Sequence, residues 1–199
     1  MKIFGKLLLV IFLIIVLVPV FILGFLGYIP GLSSLLGADK PRDLGIIFTE
    51  ADRTSARVKS RIVYATLPPE TPPDQSLQRS GSRPVALTLS SAEASALMNN
   101  RPWKYWPYQH VQVKFNADGS AEVSGSLIKD RLPGYAAAIG IPKQALDIAI
   151  KFLPPQPVFY LKMSASLKDN QVDIFDPQSF QIGKISLPVS IFLSFISPE

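Results

Sequence analysis

The longest apolar run in the chain covers residues 7–29. Lys2 and Lys6 precede it, and no charged residue follows before Asp39. As a helix with a rise of about 1.5 Å per residue, this run extends roughly 34 Å, enough to cross a hydrocarbon core of about 30 Å. Pro19 removes one backbone donor, a loss that a membrane helix tolerates with a kink. The pattern predicts a transmembrane anchor.

The alternative for this segment is a cleavable signal peptide. Its apolar region would run about 7 to 15 residues and end in an A-x-A-like site, but this run is longer and residues 36–38, LGA, match such a site poorly. The N-terminal lysines favour a cytoplasmic location for residues 1–6. We therefore expect a single-pass plasma-membrane protein, with residues 30–44 as a tether and residues 45–199 as one extracytoplasmic domain.

Capping residues predict a helix soon after the tether. Thr49-x-x-Asp52 resembles a capping box and opens a helix through about Ile62. One face of this helix would carry Ala51, Ser55, Val58 and Ile62, and the roughly opposite face Arg53, Arg57 and Arg61. We expect the first face to pack on the domain. The arginines are then either a solvated face or contacts for anionic lipid head groups.

A proline-rich stretch, residues 67–84, comes next and predicts an extended loop, because it holds few apolar residues. Residues 85–89, VALTL, predict a strand. Ser90-x-x-Glu93 then caps a short helix, which Asn99, Asn100 and Pro102 end. A later helix is expected from Pro142 to about residue 153, ahead of two more prolines.

Alternating apolar and polar positions predict two β-hairpins. The first turns at residues 116–119 and the second at residues 169–170. The expected inward positions are Val111, Val113, Phe115, Val123, Leu127, Phe159, Leu161, Met163, Ala165 and Leu167. A short strand within residues 179–187 leads into the apolar run 189–196, which is expected to pack on the core or to be cut short. The fold class is therefore α+β, with a long curved antiparallel sheet packed on helices.

Composition narrows the range of partners and chemistry. The chain has no cysteine, so an exported domain would be stabilised by its core without disulfides or thiolate-bound metal. Its 20 Lys and Arg residues only modestly outnumber its 15 Asp and Glu residues, an excess compatible with anionic head groups. We expect no nucleic-acid partner, because the domain is placed across a membrane.

Few residues suggest catalysis. His110 is the one histidine, which excludes a multi-His metal site, and its strand-edge position argues against a His-based triad. Ser126-x-x-Lys129 matches a serine–lysine signature, but positions three apart on a strand point to opposite faces. The three aspartates within residues 169–176 lack the spacing of a calcium loop. We predict no enzymatic activity, no cofactor and no metal.

The stretch NRPWKYWPYQH, residues 100–110, joins the second predicted helix to the first hairpin. Its candidate ligand-binding residues are Arg101, Trp103, Lys104, Tyr105, Trp106 and Tyr108. Two roles are open. The tryptophans plug one end of the sheet, or the rings line a groove mouth or the membrane interface with the two bases near lipid phosphates. Replacing both tryptophans with alanine would separate the roles, since only a plug is needed for folding.

Three stretches together form a pattern: LTLSSAEASALMNN, VQVKFNADGSAEVSGSL, and SASLKDNQVDI leading into FQIGKISLP. Across residues 85–188 this pattern resembles the YpmS-like bacterial cell-envelope proteins and, more loosely, the LmeA-like phospholipid-binding domains. The resemblance implies a tubular lipid-binding fold, in which a curled sheet wraps a long helix and leaves an apolar groove for acyl chains. The proline-rich segment and the end of the chain soon after IGKISLP depart from the family pattern.

The anchor, the apolar hairpins and this resemblance predict a membrane-anchored, non-catalytic binding module for lipid or another amphiphile. Membrane lipids would be its partners. The alternative is an assembly or scaffold subunit that docks to other membrane proteins through its span and residues 189–196. A hydrolase of envelope polymers is a third hypothesis, and it predicts activity that is lost on replacing His110 or Ser126.

Overall fold

The computed structural model describes residues 2–78, 80–81, 87–168, 171–190 and 193, with the backbone alone for residues 2–5, 9, 167, 168, 171 and 172. The helices in this part of the chain are α1 Lys2–Leu26, α2 Pro30–Leu35, α3 Glu50–Ser60, α4 Ser91–Asn99, α5 Leu132–Ile139 and α6 Lys143–Lys151. The strands are β1 Tyr108–Phe115, β2 Ala121–Leu127, β3 Val158–Lys168, β4 Gln171–Ile182 and β5 Ile185–Leu187. The predicted α+β class is confirmed.

The strands form one antiparallel sheet in the order β1-β2-β3-β4-β5. Both predicted hairpins are present, although the turn at residues 169–170 lies outside the described residues. Residues 179–182, expected in a separate strand, complete β4, which at about 3.4 Å per residue is roughly 40 Å long. The longest described helix after α1 is α3, with 11 residues, so the long helix implied by the tubular fold is not found in the described chain.

The strand register divides the sheet into an apolar and a polar face, because directly paired residues project from the same side. The apolar face holds a row of Val113, Val123, Leu161, Phe180 and Leu187 and a second row of Gly125, Phe159, Ile182 and Ile185. The polar face holds Gln112, Ser124, Tyr160, Gln181 and Ser186. Two predicted core positions are wrong: Phe115 is 49% exposed and Ala165 is exposed.

Helix α4 protects the open edge of β1 with polar side chains. Ser91, Ser95 and Asn99 bond the backbone of Phe115, Val113 and Val111 respectively, at 2.7–3.3 Å. Side chains four residues apart on α4 are separated by about 6 Å along the helix, and residues two apart on β1 are separated by about 6.6 Å along the strand. The two spacings match, so each successive turn of α4 reaches the next residue of β1 whose backbone N–H and C=O point toward the helix. The helix therefore replaces a missing neighbouring strand. Its predicted capping box, between Ser90 and Glu93, is confirmed.

Helix α3 has the predicted Thr49 capping box, but its predicted faces are wrong. Ala56 is fully buried, whereas Val58 and Ile62 are 69% and 54% exposed. The physical reason is that α3 packs on α4 through polar contacts. Its Lys59 ammonium lies 2.6 Å from Oε1 of Glu93 in α4, and such a buried partner sets the rotation of a helix more strongly than its apolar pattern.

Residues 30–44, the predicted tether, form an ordered connection between α1 and the rest of the domain. They contain α2, and Ala38 is fully buried. Further on, the Arg42 guanidinium stacks on the Tyr160 ring at 3.8 Å, and the Leu44 amide donates to Oε1 of Gln112 at 2.7 Å. This segment therefore packs along the polar face of the sheet. Individual polar contacts hold it there, and such contacts leave no periodic pattern in the sequence.

Helix α1 is the one helix among the described residues that is long and apolar enough to cross a membrane, by length and composition. It ends at Leu26, three residues before the predicted boundary, because Gly27 adopts a left-handed backbone with φ 97°. Helix α6 lies where a helix was expected, with Pro142 just before its first residue, whereas α5 was not predicted. Leu87 to Leu89 form no strand, and the rest of that predicted strand lies outside the described residues.

Candidate functional site

The aromatic junction consists of residues 100–108 together with Tyr135 of α5. Trp103, Trp106 and Tyr108 surround the Tyr135 ring, with ring centroids 5.7, 6.1 and 5.7 Å from it. Tyr108 also meets Phe159 of the apolar face at 5.9 Å. Sequence patterns did not point to Tyr135, because α5 has only eight residues and its N-cap residue, Arg131, makes no side-chain capping bond. The junction closes one end of the apolar face.

The inner part of the junction is a packed plug. Trp106 is 8% exposed, and its Nε1 donates to the Met98 carbonyl at 2.7 Å. Arg131 donates to the Trp106 carbonyl at 3.0 Å, and the Arg101 guanidinium lies 4.3 Å from the centre of the Trp106 ring. Burial raises the pKa of Tyr108, which keeps its phenol neutral. Contacts of this kind favour the structural role for Trp106 and Tyr108.

The outer part of the junction is half-exposed. The Trp103 Nε1 donates to Oγ of Ser76 at 3.1 Å, and the Lys104 ammonium donates to the Pro69 carbonyl at 2.6 Å, so both residues hold the proline-rich loop. Tyr105 packs so closely on Gly134 that a Cβ there would lie 2.1 Å from its ring. Arg101 and Lys104 are exposed beside this rim, and their predicted contact with lipid phosphates stays a prediction.

The three arginines of the predicted basic stripe are engaged close to α3. Arg53 pairs with Glu50 at 3.2 Å. The Arg57 guanidinium lies 5.9 Å from the Tyr64 ring centre. Arg61 ends the helix with a left-handed backbone, φ 51°, and its amide donates to the Arg57 carbonyl at 2.8 Å. Their role as head-group contacts stays a prediction.

A polar cleft of about 290 Å³ brings His110 and Ser126 together. The His110 Nδ1 lies 3.3 Å from Oγ of Ser126, a proximity that the sequence did not reveal because a β-bulge turns His110 to φ 51°. Asp39 also lines the cleft, and its Oδ1 is buried without a hydrogen-bond partner.

Catalysis needs more than this pair. The Ser126 hydroxyl donates its hydrogen bond to the Gln109 carbonyl, at 3.2 Å. Ser126 is also only 7% exposed. Lys129 donates to the Leu153 carbonyl at 2.7 Å, so it does not serve Ser126 as a base. No carboxylate bonds the His110 ring among the contacts of the described residues, which also hold no cluster of three or more metal-ligating side chains. The cleft has no complete acyl-transfer arrangement.

The end of α1 is docked firmly on the sheet. The Lys184 amide, in the β4–β5 turn, donates to the Phe25 carbonyl at 2.8 Å. The neighbouring Gly183 lies so near that a Cβ on it would be 2.3 Å from the same oxygen. From α2, the buried Ser33 hydroxyl donates to the Gly24 carbonyl at 2.9 Å. Carbonyls that a helix C-terminus leaves free are thus bound by the domain itself.

The apolar face changes in character along the strands. Its rows begin beside the docked end of α1, where Ile182 is buried. One row further, Val123, Leu161, Phe180 and Leu187 are only half-buried, and we call these four residues the open row. The sheet therefore presents apolar side chains that the described helices do not fully cover.

Comparison with known proteins assigns no function to this chain. No protein-family model, no curated protein and no solved structure matches this chain. The resemblance to the YpmS-like family accordingly stays a prediction from the sequence. The function has to follow from the docked α1, the aromatic junction and the open row.

Proposed function

We propose that this protein is a membrane-anchored, extracytoplasmic, non-catalytic binding module for lipid or another amphiphile. In this proposal α1 is a single span of the plasma membrane, with residues 1–6 on the cytoplasmic side. The length and composition of α1 support the span, and the lysines at its N-terminal end support the orientation. The resemblance to lipid-binding envelope proteins points the same way.

The observation that carries the proposal is the continuity between α1 and the apolar face. Ile182 and Ile185 flank the turn that binds the Phe25 carbonyl, and the open row lies directly beyond them. An acyl chain leaving the bilayer beside α1 would therefore meet apolar side chains without crossing a polar barrier.

The dimensions of the apolar face suit a single acyl chain. From Ile182 to Pro177, β4 covers five residue steps, or about 17 Å. One leaflet of a bilayer contributes about 15 Å of hydrocarbon. Because an acyl chain is already in an apolar medium, its transfer changes its own hydrophobic free energy little. The net gain comes from covering the half-exposed side chains of the open row.

Polar groups near the start of the face fit a lipid head group. Lys184 and Lys40 are exposed close to the docked end of α1, where they would meet phosphates. The aromatic junction lies at the same end of the sheet. Its Tyr108 pairs with Leu127 at the end of β2, and the Leu127 amide donates to the Pro157 carbonyl, just before β3 begins. A membrane interface at this end of the sheet would suit the half-exposed rim of Trp103 and Tyr105, because such interfaces favour Trp and Tyr.

Photo-crosslinking tests this proposal. The full chain would be placed in nanodiscs with a phospholipid that carries a diazirine near the end of one acyl chain, and crosslinked peptides would be mapped by mass spectrometry. We expect labelling of the peptides that hold Val123 and Phe180, in addition to those of α1. Labelling confined to residues 7–29 would refute binding on the apolar face.

A matched pair of variants makes the test specific to one face. Leu161→Asp places a charge in the open row, whereas Ser179→Asp places the same charge on the polar face of the neighbouring strand. Both positions are half-buried. We expect the first variant to lose labelling of the sheet and the second to keep it. Equal loss in both would indicate damage to the fold instead of a blocked binding surface.

The alternative is an assembly or scaffold subunit that docks through its span and the apolar residues 189–196. Of these, residues 191, 192 and 194–196 lie outside the described residues. The scaffold hypothesis stays a prediction, and the crosslinking experiment bears on it, because a partner subunit on the apolar face would exclude the lipid probe.

A further inference from the structure

Helix α6 carries two apolar stripes on different sides. Leu146, Ala149 and Ile150 are half-buried against the protein. The other stripe points outward: Ile148 is 59% exposed and Phe152, the residue that ends the helix, is 73% exposed. No residue of α6 is fully buried. A short helix that is apolar toward both protein and solvent normally has a second apolar environment.

The covalent chain places this outward stripe at the end of α1. Phe152 precedes Pro154 by two residues, so their Cα atoms are at most about 7.6 Å apart. Pro154 is buried, and its ring lies 3.4 Å from the position of a Cβ on Gly27, the first residue after α1. The Leu153 carbonyl between them accepts a bond from Lys129. Phe152 is thus held at the level where α1 ends.

We propose that α6 is an interfacial helix, which lies in the surface of the same bilayer that α1 crosses. Ile148 and Phe152 insert among the upper segments of the acyl chains. Lys143 and Lys151, at the two ends of the helix, extend their ammonium groups toward the phosphates. This inference rests on the proposed span of α1, but it does not depend on whether the open row binds lipid.

The bilayer suits this face better than a protein partner does. A stable protein interface buries about 800 Å² on each side, whereas the outward stripe offers only two large side chains. A membrane surface needs no such area here, because α1 already holds it beside Phe152. Lys143 also keeps 84% exposure of its side chain although it pairs with Asp147 at 2.5 Å, so it can reach a phosphate.

Site-directed spin labelling tests the proposal directly, because the chain contains no cysteine. The full chain would be labelled at single cysteines in nanodiscs of phosphatidylcholine and phosphatidylglycerol. The accessibility of each label to oxygen, which concentrates in lipid, would be compared with that to a water-soluble nickel chelate. The positions are Phe152→Cys and Ile148→Cys in α6, Leu13→Cys in α1, and Ile174→Cys as the control.

The control is another exposed isoleucine, 52% accessible, which lies eight residues, or about 27 Å, along β4 from Ile182. We expect labels at Phe152 and Ile148 to shift toward oxygen accessibility, as the label at Leu13 does, and the label at Ile174 to remain accessible to nickel.

The outcomes separate this inference from its premise. If the Leu13 label is in lipid while both α6 labels are as accessible to nickel as the Ile174 label, the interfacial helix is refuted and the span stands. If the Leu13 label is itself in water, the span fails and the inference falls with it. Agreement between the two α6 positions also guards against a local disturbance caused by replacing Phe152.

Discussion

The aromatic junction and the open row belong to the same apolar face but differ in how far their side chains are enclosed. At the junction, Trp106 and Tyr108 are enclosed by Tyr135 and Phe159, and the polar atoms of Trp106 are all bonded. In the open row, residues of the same apolar character remain half-exposed. The difference indicates that the enclosed end maintains the fold, while the open row leaves apolar surface for something else to cover.

The largest expected effect is at the enclosed end. Trp106→Ala removes a buried ring and its bond to Met98, and we expect it to lower the free energy of unfolding by about 3–5 kcal/mol. Chemical denaturation of the full chain in detergent, followed by circular dichroism, measures this. Trp103→Ala, at the half-exposed rim, serves as the control and should cost clearly less. Equal costs would remove the distinction between plug and rim.

The next effect concerns the strand edge that α4 covers. Asn99→Ala leaves the N–H and C=O of Val111 without partners in a buried place, which we expect to cost about 2–3 kcal/mol in the same measurement. Asn100→Ala is the matched control, because that side chain makes one bond, to a carbonyl of its own helix. A cost of about 1 kcal/mol is expected there. Similar costs at both positions would show that the edge does not depend on Asn99.

Acid should weaken the contact between α3 and α4. The Lys59 ammonium, then the Ser55 hydroxyl and the Ser90 amide, lower the pKa of Glu93 from its usual 4.5 to about 2. A carboxyl with a lowered pKa stabilises the fold above the unfolded value, and that contribution is lost as pH falls from about 4.5 to about 2. Unfolding curves across this range should show the loss in the native chain.

The corresponding variant isolates the group responsible. We expect Glu93→Gln to be less stable than the native chain at neutral pH, and its stability should vary less between pH 4.5 and pH 2. Glu50→Gln, which alters an exposed ion pair on α3, should leave the pH dependence of the native chain in place. If both variants retain the full dependence, another carboxyl is the source.

The smallest effect on stability is expected in the open row. Leu161→Ala removes a half-exposed side chain and should cost about 1 kcal/mol, well below the range for buried leucines. Its effect should appear instead as weaker lipid labelling of the sheet in nanodiscs. A cost as large as that of Trp106→Ala would mean that the open row is part of the core, and the contrast between the two regions would disappear.

Local rules predicted a large part of this fold. Both capping boxes, both hairpins and the apolar α1 follow from residues close together in the chain, where spacing alone is informative. The errors concern residues distant in sequence. Val58 is exposed because Glu93 sets the rotation of α3, and residues 30–44 are ordered because Arg42 and Leu44 meet side chains of the sheet. The aromatic stretch was identified, but Tyr135 at its centre was not.

The bond between Lys184 and the Phe25 carbonyl has a mechanical consequence. The part of α1 after Lys6 has 20 residues and is about 30 Å long, which matches the hydrocarbon thickness of a typical bilayer, so in the proposed span a change in membrane thickness would change the tilt of α1. Gly183 lies directly against the same carbonyl, with no space for a side chain. The β4–β5 turn therefore holds the end of α1 rigidly and does not act as a hinge. Any tilt of α1 is passed to the whole sheet, so a thinner or thicker membrane would change the angle at which the domain meets its surface.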